Sequence, residues 1–286
     1  MRVAGSLLRV ASAAVAVCAL AGCGATAARP GDPVALAGTP AAGTPAAAGP
    51  TAGTAGTPAP GGTKAGTPAA GRTASRSTAG RTSRPPLLVE QMANTGNATQ
   101  VVTVTTTPGQ AGPVLEAFEK VAGRWRRAFG PVPAVIGAQG FSTRVSESTT
   151  ATPIGLFTLT EAFGTSANPG TALPYRRSQY GDVWVDRATA PTYNTRQTGD
   201  ADFAKGSGER LWTETTAYEY AVVIDYNRRP VRPGAGSAFF LHVTIPVPSQ
   251  GCVTLRRDRL LTLLRWLNPA AHPIIALGPI EAVRRL

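Results

Sequence analysis

Residues 239–255 read Phe239-Phe240-Leu241-His242-Val243-Thr244-Ile245-Pro246-Val247-Pro248-Ser249-Gln250-Gly251-Cys252-Val253-Thr254-Leu255, with a His and a Cys ten positions apart. Alternating residues from Ala238 to Ile245 predict a β-strand. His242 then lies on the face opposite that of Phe239, Leu241, Val243 and Ile245. Pro246 and Pro248 are predicted to end this strand, because Pro donates no ladder hydrogen bond. The His side chain therefore points away from the more apolar face.

Cys252 follows a Gly that permits a positive-φ backbone. We expect it to lie just before a helix over about Leu255 to Leu267, with Thr254 as its cap and four leucines (Leu260, Leu263, Leu264, Leu267) packed behind the Cys. A thiol near a helix N-terminus has a lowered pKa, and its thiolate is a nucleophile. With His242 in hydrogen-bond reach, the two side chains would form a Cys/His pair suited to acyl transfer.

The N-terminus predicts export. Arg2 and Arg9 precede an apolar run from Val10 to Ala19, and Leu20-Ala21-Gly22-Cys23 is typical of the site where bacterial lipoprotein precursors are cleaved and lipidated. The alternative, a transmembrane helix, needs about 20 apolar residues, and this run is shorter. Residues 1–22 are thus predicted to be a signal peptide and Cys23 a lipidation site. Cys252 then remains as the single thiol of the mature chain.

Residues 23–86 are predicted to be a disordered tether. They are rich in Ala, Gly, Thr and Pro, as in Ala37-Gly38-Thr39-Pro40, and cannot bury a core. A flexible coil of this length would span roughly 45 Å between its ends. Six basic residues against the single Asp32 give this segment a net +5 of the formal +12, which favours anionic lipid or anionic cell-wall polymers as partners. Nucleic acid is excluded, because the protein is exported and the basic residues form no stripe with stacking aromatics.

The remaining residues suffice for one domain with a sizeable core. Within residues 87–130 we expect a strand over Val101 to Thr106, then an amphipathic helix beginning at Pro113 whose core stripe is Val114, Phe118, Val121, Trp125 and Phe129. Residues 131–286 are expected to be a catalytic domain. The predicted fold is mainly β with a few helices, because short candidate strands recur between Gly and Pro residues: 134–136, 156–163, 182–186, 218–226, 238–245 and 273–277.

The segment from His242 to Cys252 resembles the active site of the YkuD-type L,D-transpeptidases, whose motif is a His followed by Ser/Thr-His-Gly-Cys. His242 matches the general base, and Ser249, Gly251 and Cys252 match the Ser, Gly and nucleophile. Gln250 replaces the usual second His, and the gap after His242 is shorter than usual. Two upstream segments are also similar to the family: Ile136-Gly137-Ala138-Gln139-Gly140-Phe141 and Thr152-Pro153-Ile154-Gly155-Leu156-Phe157.

The resemblance implies a β-sandwich enzyme that attacks the third residue of a peptidoglycan stem and forms 3→3 cross-links through a thioester on Cys252. It implies backbone N–H groups of Gly251 and Cys252, with the Gln250 side chain, as oxyanion donors. Ser249, Thr254 and Trp184 are expected to bind substrate. If water replaces the amine acceptor, the outcome is an L,D-carboxypeptidase. The implied location is the cell-wall space, on the outer face of the cytoplasmic membrane.

Other readings stay open. A tethered peptidoglycan-binding protein that has lost catalysis would explain Gln250, although it would need neither His242 nor Cys252. The segment from Asp182 to Asn194 is either a wall of the cleft or a surface hairpin. His272, at a predicted helix-to-strand turn, has no nearby nucleophile and is not expected to be the base. No metal or other cofactor is predicted, because two separated His residues and one Cys do not make a zinc site.

Overall fold

A computed structural model describes residues 84–199 and 208–286. The predicted signal peptide, Cys23 and the tether up to residue 83 lie outside these residues. Within the described ranges the chain forms three α-helices, namely α1 (Leu88–Gln91), α2 (Arg257–Trp266) and α3 (Ile280–Arg284). The strands of the same ranges are β1 (Gln100–Thr106), β2 (Val114–Val121), β3 (Arg124–Pro133), β4 (Phe141–Ser142), β5 (Thr152–Pro153), β6 (Gly155–Thr158), β7 (Ala162–Gly164), β8 (Tyr175–Arg177), β9 (Asp182–Trp184), β10 (Arg196–Thr198), β11 (Glu209–Arg210), β12 (Ala221–Val223), β13 (Phe240–Val243), β14 (Val253–Leu255) and β15 (Ile274–Pro279).

Two five-stranded sheets form the domain. The first has the order β3-β2-β1-β15-β6, and the second has the order β14-β13-β12-β7-β8. Residues from both sheets and from α2 share one core, in which Val102 and Val104 of β1 meet Leu241 of β13 and Leu264 of α2. The prediction of a mainly β fold with a few helices is confirmed. None of the described helices is long and apolar enough to span a bilayer.

Strand β1 occupies the centre of the first sheet. It pairs antiparallel with β2 and parallel with β15. Its alternate residues are buried on opposite faces: Val102 and Val104 in the core between the sheets, and Val101 in a second cluster covered by α1 and α3. Burial on both faces explains why the β1 sequence is a nearly continuous run of β-branched residues. The strand predicted over Val101 to Thr106 is thus confirmed.

The amphipathic helix predicted from Pro113 to Phe129 is wrong, because these residues form the antiparallel hairpin β2–β3. Ala122 and Gly123 connect the strands with φ of 48° and 77°. Two consecutive residues with positive φ make the two-residue turn whose twist suits a hairpin. Cross-strand ion pairs join Arg126 to Glu119 and Arg127 to Glu116. Phe118 and Leu115 are fully buried, so the strand faces, rather than a helical stripe, bury the apolar residues.

Several predicted boundaries also change. The candidate strand 134–136 is irregular and makes one isolated bridge, Val135 to Thr254. The candidate 156–163 divides into β6 and β7. The helix predicted from about Leu255 is confirmed as α2, but it begins at Arg257 and ends at Trp266. Leu260, Leu263 and Leu264 of α2 are fully buried, as is Leu267 directly after it. Thr254 lies in β14 and caps no helix.

Candidate active site

His242 lies on β13, between the antiparallel β12 and the parallel β14. The predicted strand parity is confirmed for Phe239, Leu241 and Val243, which face the core between the sheets, whereas Phe240 packs in a separate cluster. For Ile245 it is wrong, because β13 ends at Val243 and Ile245 packs against the cluster of Phe240 and lines the cavity. His242 is 5% exposed, and its Nδ1 lies 2.9 Å from the carbonyl oxygen of Val243. Because a carbonyl only accepts, this nitrogen carries the proton, which leaves Nε2 as the basic atom.

Burial lowers the pKa of His242 below its usual value, and the backbone of Val243 and Ala217, which favours the protonated ring, opposes that change. The imidazole is therefore neutral near pH 7. A neutral imidazole can accept a proton, as a general base must.

Cys252 stands immediately before β14, and extending the β13–β14 register places it opposite Phe240. Its Sγ accepts from the Phe240 backbone N–H at 3.4 Å and donates to the Ala238 carbonyl at 3.4 Å. The side chain is half-buried. The thiol thus precedes the strand that pairs with the strand of His242. Its two hydrogen bonds are to the backbone of Phe240, in β13, and of Ala238, just before β13.

The expectation of a helix-activated thiol is wrong. A β-strand follows Cys252, and α2 begins five residues later. Burial raises the pKa of Cys252 well above its usual value, and the nearby Glu209 carboxylate raises it further, against the Phe240 N–H, which lowers it. Removing a proton from this thiol therefore requires a local base.

His242 and Cys252 line the same cavity, whose volume is about 700 Å³. Gln250, Ser249 and Thr254, which were all expected at the site, also line it. Gln250 is exposed at the rim. His272 lies elsewhere, at the end of the turn over Pro269–Ala271 that precedes β15, and is exposed. The structure thus brings most of the predicted site residues to one cleft.

A buried threonine fixes the loop that carries Cys252 through two hydrogen bonds. Thr152 of β5 accepts from the Gly137 N–H at 2.8 Å and donates to the Gly251 carbonyl at 2.7 Å. Gly251 has φ of 129°, and a Cβ there would lie 2.6 Å from the Phe239 ring, so only glycine fits. A Cβ on Gly137 would lie 2.1 Å from the Thr150 carbonyl oxygen. The two upstream segments therefore support the thiol loop directly.

The hydroxyls of Ser249 and Thr254 are engaged within the protein. Ser249 Oγ donates to the Cys252 carbonyl at 2.6 Å and accepts from the Gly251 N–H at 3.3 Å, which closes the turn before the thiol. Thr254 is 3% exposed, and its Oγ1 lies 2.9 Å from Thr244 Oγ1. Both residues thus shape the cleft. Their contact with substrate stays a prediction.

The expectation that Trp184 forms a wall of the cleft needs correction, because this residue is 1% exposed and packs on the Phe240 ring. Its indole N–H donates to Asn194 Oδ1, which also accepts from the Ala238 N–H at 3.2 Å. Ala238 has φ of 57°, and its carbonyl accepts the hydrogen bond from the thiol of Cys252. Trp184 thus supports the thiol from behind, and Asp186, from the same segment, lines the cavity.

A profile of the YkuD family, described as the L,D-transpeptidase catalytic domain, matches residues 118–275. This range is more than half of the chain. The chain belongs to the YkuD L,D-transpeptidase family.

Two further comparisons add little to this assignment. A search of curated protein sequences returned no match. A solved structure of a mutant of the helical cell shape determining protein Pgp2 from Campylobacter jejuni aligns at 12% identity, over 68% of this chain and 55% of that chain, with a TM-score of 0.35. This chain therefore spans about half of the length of that protein, and no argument is taken from a likeness at this level.

The YkuD match begins at Phe118, inside β2, and so also covers part of residues 87–130, which were expected to precede the catalytic domain.

The YkuD site contains two residues for which the sequence predicted no role. Tyr218 and Glu209 line the cavity beside His242 and Cys252, and the Tyr218 hydroxyl donates to Glu209 Oε1. Tyr218 fell within a candidate strand, but the structure places it in a 3₁₀ turn over Ala217–Glu219. No sequence pattern marks Glu209, since its position depends on the pairing of β11 with β9.

Proposed function

We propose that this chain is a cysteine-dependent L,D-transpeptidase that acts on peptidoglycan stem peptides. One observation carries the proposal: within a YkuD catalytic domain, the thiol of Cys252 and the neutral imidazole of His242 line the same cavity from adjacent strands. A nucleophile and a base in one cleft are what acyl transfer requires.

The first step forms a thioester. His242 Nε2 takes the Cys252 S–H proton as Sγ attacks the carbonyl carbon of the third stem residue, and the oxyanion collapses as the C–N bond to the fourth residue breaks. The imidazolium then gives its proton to the departing D-Ala amine. We assign the oxyanion to the backbone N–H of Cys252, because the Gly251 N–H already donates to Ser249 Oγ at 3.3 Å. Gln250, exposed at the rim, is the side chain suited to add a hydrogen bond.

The second step restores the enzyme. The amine of a neighbouring stem attacks the thioester carbonyl, gives a proton to His242, and the thiol leaves with that proton. The product is a 3→3 cross-link. With water in place of the amine, the same steps release a shortened stem, which is L,D-carboxypeptidase activity. The ratio of cross-linked dimer to tripeptide product distinguishes the two outcomes.

The test is acylation of the purified full chain by a tetrapeptide stem or by a carbapenem. Peptide mass mapping should locate a single added acyl group on the peptide that contains Cys252, and Cys252→Ala should abolish it. A matched control is Thr262→Val, an exposed helix position far along α2 that should leave labelling unchanged. Labelling of any other residue, or labelling that survives Cys252→Ala, contradicts the proposal.

A second candidate is a peptidoglycan-binding protein that has lost catalysis. The observation that favours it is the resting thiol, which donates to the Ala238 carbonyl and has a raised pKa. This candidate predicts that the protein binds sacculi while Cys252 stays unmodified by both reagents. Sacculus binding and the mass of Cys252 are measured separately. Acylated Cys252 supports the transpeptidase, whereas unmodified Cys252 in a protein that binds sacculi supports the binding protein.

We further propose that the domain works in the cell-wall space, joined to the outer face of the cytoplasmic membrane through lipidated Cys23 and the tether. The sequence Leu20-Ala21-Gly22-Cys23 supports this location, as does membership of a family that acts on peptidoglycan. The basic residues of the tether suit contact with anionic cell-wall polymers.

A further inference from the structure

A hydrogen-bonded carboxyl and phenol lie beside the proposed nucleophile. Glu209 begins β11, and its carboxylate receives the hydroxyl of Tyr218, from the 3₁₀ turn that precedes β12. Both side chains line the cavity that holds Cys252 and His242. Tyr218 is 3% exposed. A buried phenol that donates to a carboxylate holds that carboxylate in one place.

Tyr218 links Glu209 to both members of the proposed Cys/His pair. Its ring meets the His242 imidazole edge-on, with centroids 5.2 Å apart. It also packs edge-on against Phe240, with centroids 5.7 Å apart, and the Phe240 N–H donates to Cys252 Sγ. Glu209 and Cys252 line one cavity, and the negative charge of the Glu209 carboxylate disfavours a thiolate on Cys252.

The pKa of Glu209 is raised to about 7, chiefly by burial and also by the charges of Asp186 and Glu214, against the hydrogen bond from Tyr218, which lowers it. Glu209 therefore changes charge near neutral pH. Its carboxyl faces the cavity. Besides Tyr218, the other titratable and charged residues that line this cavity are Glu147, Asp186, Arg210, Glu214, His242 and Cys252.

We propose that the charge of Glu209, which Tyr218 holds beside the thiol, controls how readily Cys252 gives its proton to His242. The inference rests on the proposed function. When Glu209 is neutral, the proton moves from Sγ to the imidazole and leaves a thiolate with no anion next to it. When Glu209 is a carboxylate, the same transfer places two negative charges in one half-buried site. Glu209 is thus a positioning residue that restrains the nucleophile above neutral pH.

The proposal predicts a specific pH profile. The carboxyl and the thiol titrate together. Above pH 7 Glu209 is mostly charged, so the population of thiolate beside a neutral Glu209 stops increasing and the alkylation rate levels off. The rate rises again at high pH, where the thiol ionises beside the charged carboxylate. The measurement is the rate at which iodoacetamide alkylates Cys252 from pH 5 to 10 in the full chain, followed by peptide mass. In Glu209→Gln the break near pH 7 should disappear, and the rate at pH 9 should rise about tenfold, the size of one unit in thiol pKa.

Two other variants separate charge from structure. Tyr218→Phe keeps the carboxyl but removes the hydrogen bond that lowers its pKa, so the break should move to higher pH. Glu219→Gln is the matched control, because it removes one negative charge next to Tyr218 in sequence. The Glu219 carboxylate pairs with Arg257 at 2.6 Å and does not line the cavity, so this variant should keep the wild-type profile.

The proposal is overturned if Glu209→Gln keeps the break and the wild-type rate, or if Glu219→Gln accelerates alkylation equally. Should Glu209→Gln fail to fold, Tyr218→Phe decides alone, and an unmoved break overturns the proposal. Alkylation needs no stem peptide. Normal acylation by substrate with a Glu209-independent profile therefore refutes this inference alone, whereas the expected profile without acylation refutes only the proposed function.

Discussion

At the scale of single residues, the surroundings of Cys252 keep the thiol protonated at rest. Its sulfur accepts one backbone hydrogen bond and donates one, burial raises its pKa, and the charge of Glu209 acts in the same direction. His242 is buried and neutral, with Nδ1 directed at the Val243 carbonyl. In the mechanism that we propose, such a pair forms the thiolate only as His242 takes the proton.

His242 and Gln250 are expected to differ when each is replaced. His242→Asn removes the base and should slow acylation of Cys252 by about 10²- to 10⁴-fold. Gln250→His restores the common family motif at the exposed rim and should keep or raise the rate. The measurement is the second-order rate of carbapenem acylation by intact-protein mass.

His272→Asn is the control for that pair. This histidine ends the turn before β15 and does not line the cavity, so its variant should acylate within a few-fold of wild type. If His242→Asn acylates at the wild-type rate, the base is another group, and the cavity carboxyls Asp186 and Glu209 become the next candidates.

Sequence reasoning placed single residues well where the cause was local. The face of His242 follows from alternation within one strand, so the residues alone predicted it. The surroundings of Cys252 were missed, because they come from Ala238 and Glu209 on other segments. Trp184 was expected at the cleft, but Phe240, which is far along the chain, packs on its ring and the residue is buried.

At the scale of elements, the central arrangement is the contact between the thiol loop and the two segments before it. Ala138 N–H donates to the Ser249 carbonyl at 3.1 Å, and Thr152 spans the Gly137 N–H and the Gly251 carbonyl. Thr152 itself is held by the pairing of β5 with β4. Three separate parts of the chain thus fix the backbone on which Cys252 sits.

Thr152→Val should weaken both stability and function. Valine has the same shape but leaves the Gly137 N–H and the Gly251 carbonyl without their hydroxyl partner, which costs about 1–3 kcal/mol of unfolding free energy. The loop before Cys252 should then move, so acylation should slow by more than the stability loss alone explains. Urea unfolding and the carbapenem acylation rate measure the two effects.

Thr262→Val is the matched control for this change. Its hydroxyl is exposed on α2 and donates to the Asp258 carbonyl, so its loss should change the unfolding free energy by less than about 0.5 kcal/mol. Equal stability of the Thr152 and Thr262 variants would show that the two buried hydrogen bonds do not hold the loop.

Elements were predictable from the sequence where one periodicity prevailed. Strand β1 and helix α2 each carry a clear pattern, and both are present. Residues 114–129 fit a helical stripe as well as they fit two strands, and the deciding feature is the Ala122-Gly123 turn. The short strand β14 after Cys252 was missed, because three residues are too few to show an alternation of apolar and polar side chains. Their strand conformation comes from pairing with β13.

At the scale of the whole molecule, the lipid anchor is the feature to test. Cys23→Ser removes the residue that would be lipidated, so the protein should be released into the medium or accumulate as uncleaved precursor. Cell fractionation and the mass of the mature chain measure this. A Cys23→Ser protein that is still processed and membrane-bound would rule out the lipoprotein assignment.

The position of β15 in the first sheet affects when the protein can fold. This strand lies between β1 and β6, and the backbone N–H groups of Ala93 and Asn94 donate to the carbonyls of Arg284 and Leu286. Residues 274–279 are therefore needed before β1 and β6 can share a sheet, and contacts of such long sequence separation form slowly. In the export that we propose, the first sheet would stay incomplete until residues 274–279 had crossed the membrane, because β15 joins β1 to β6.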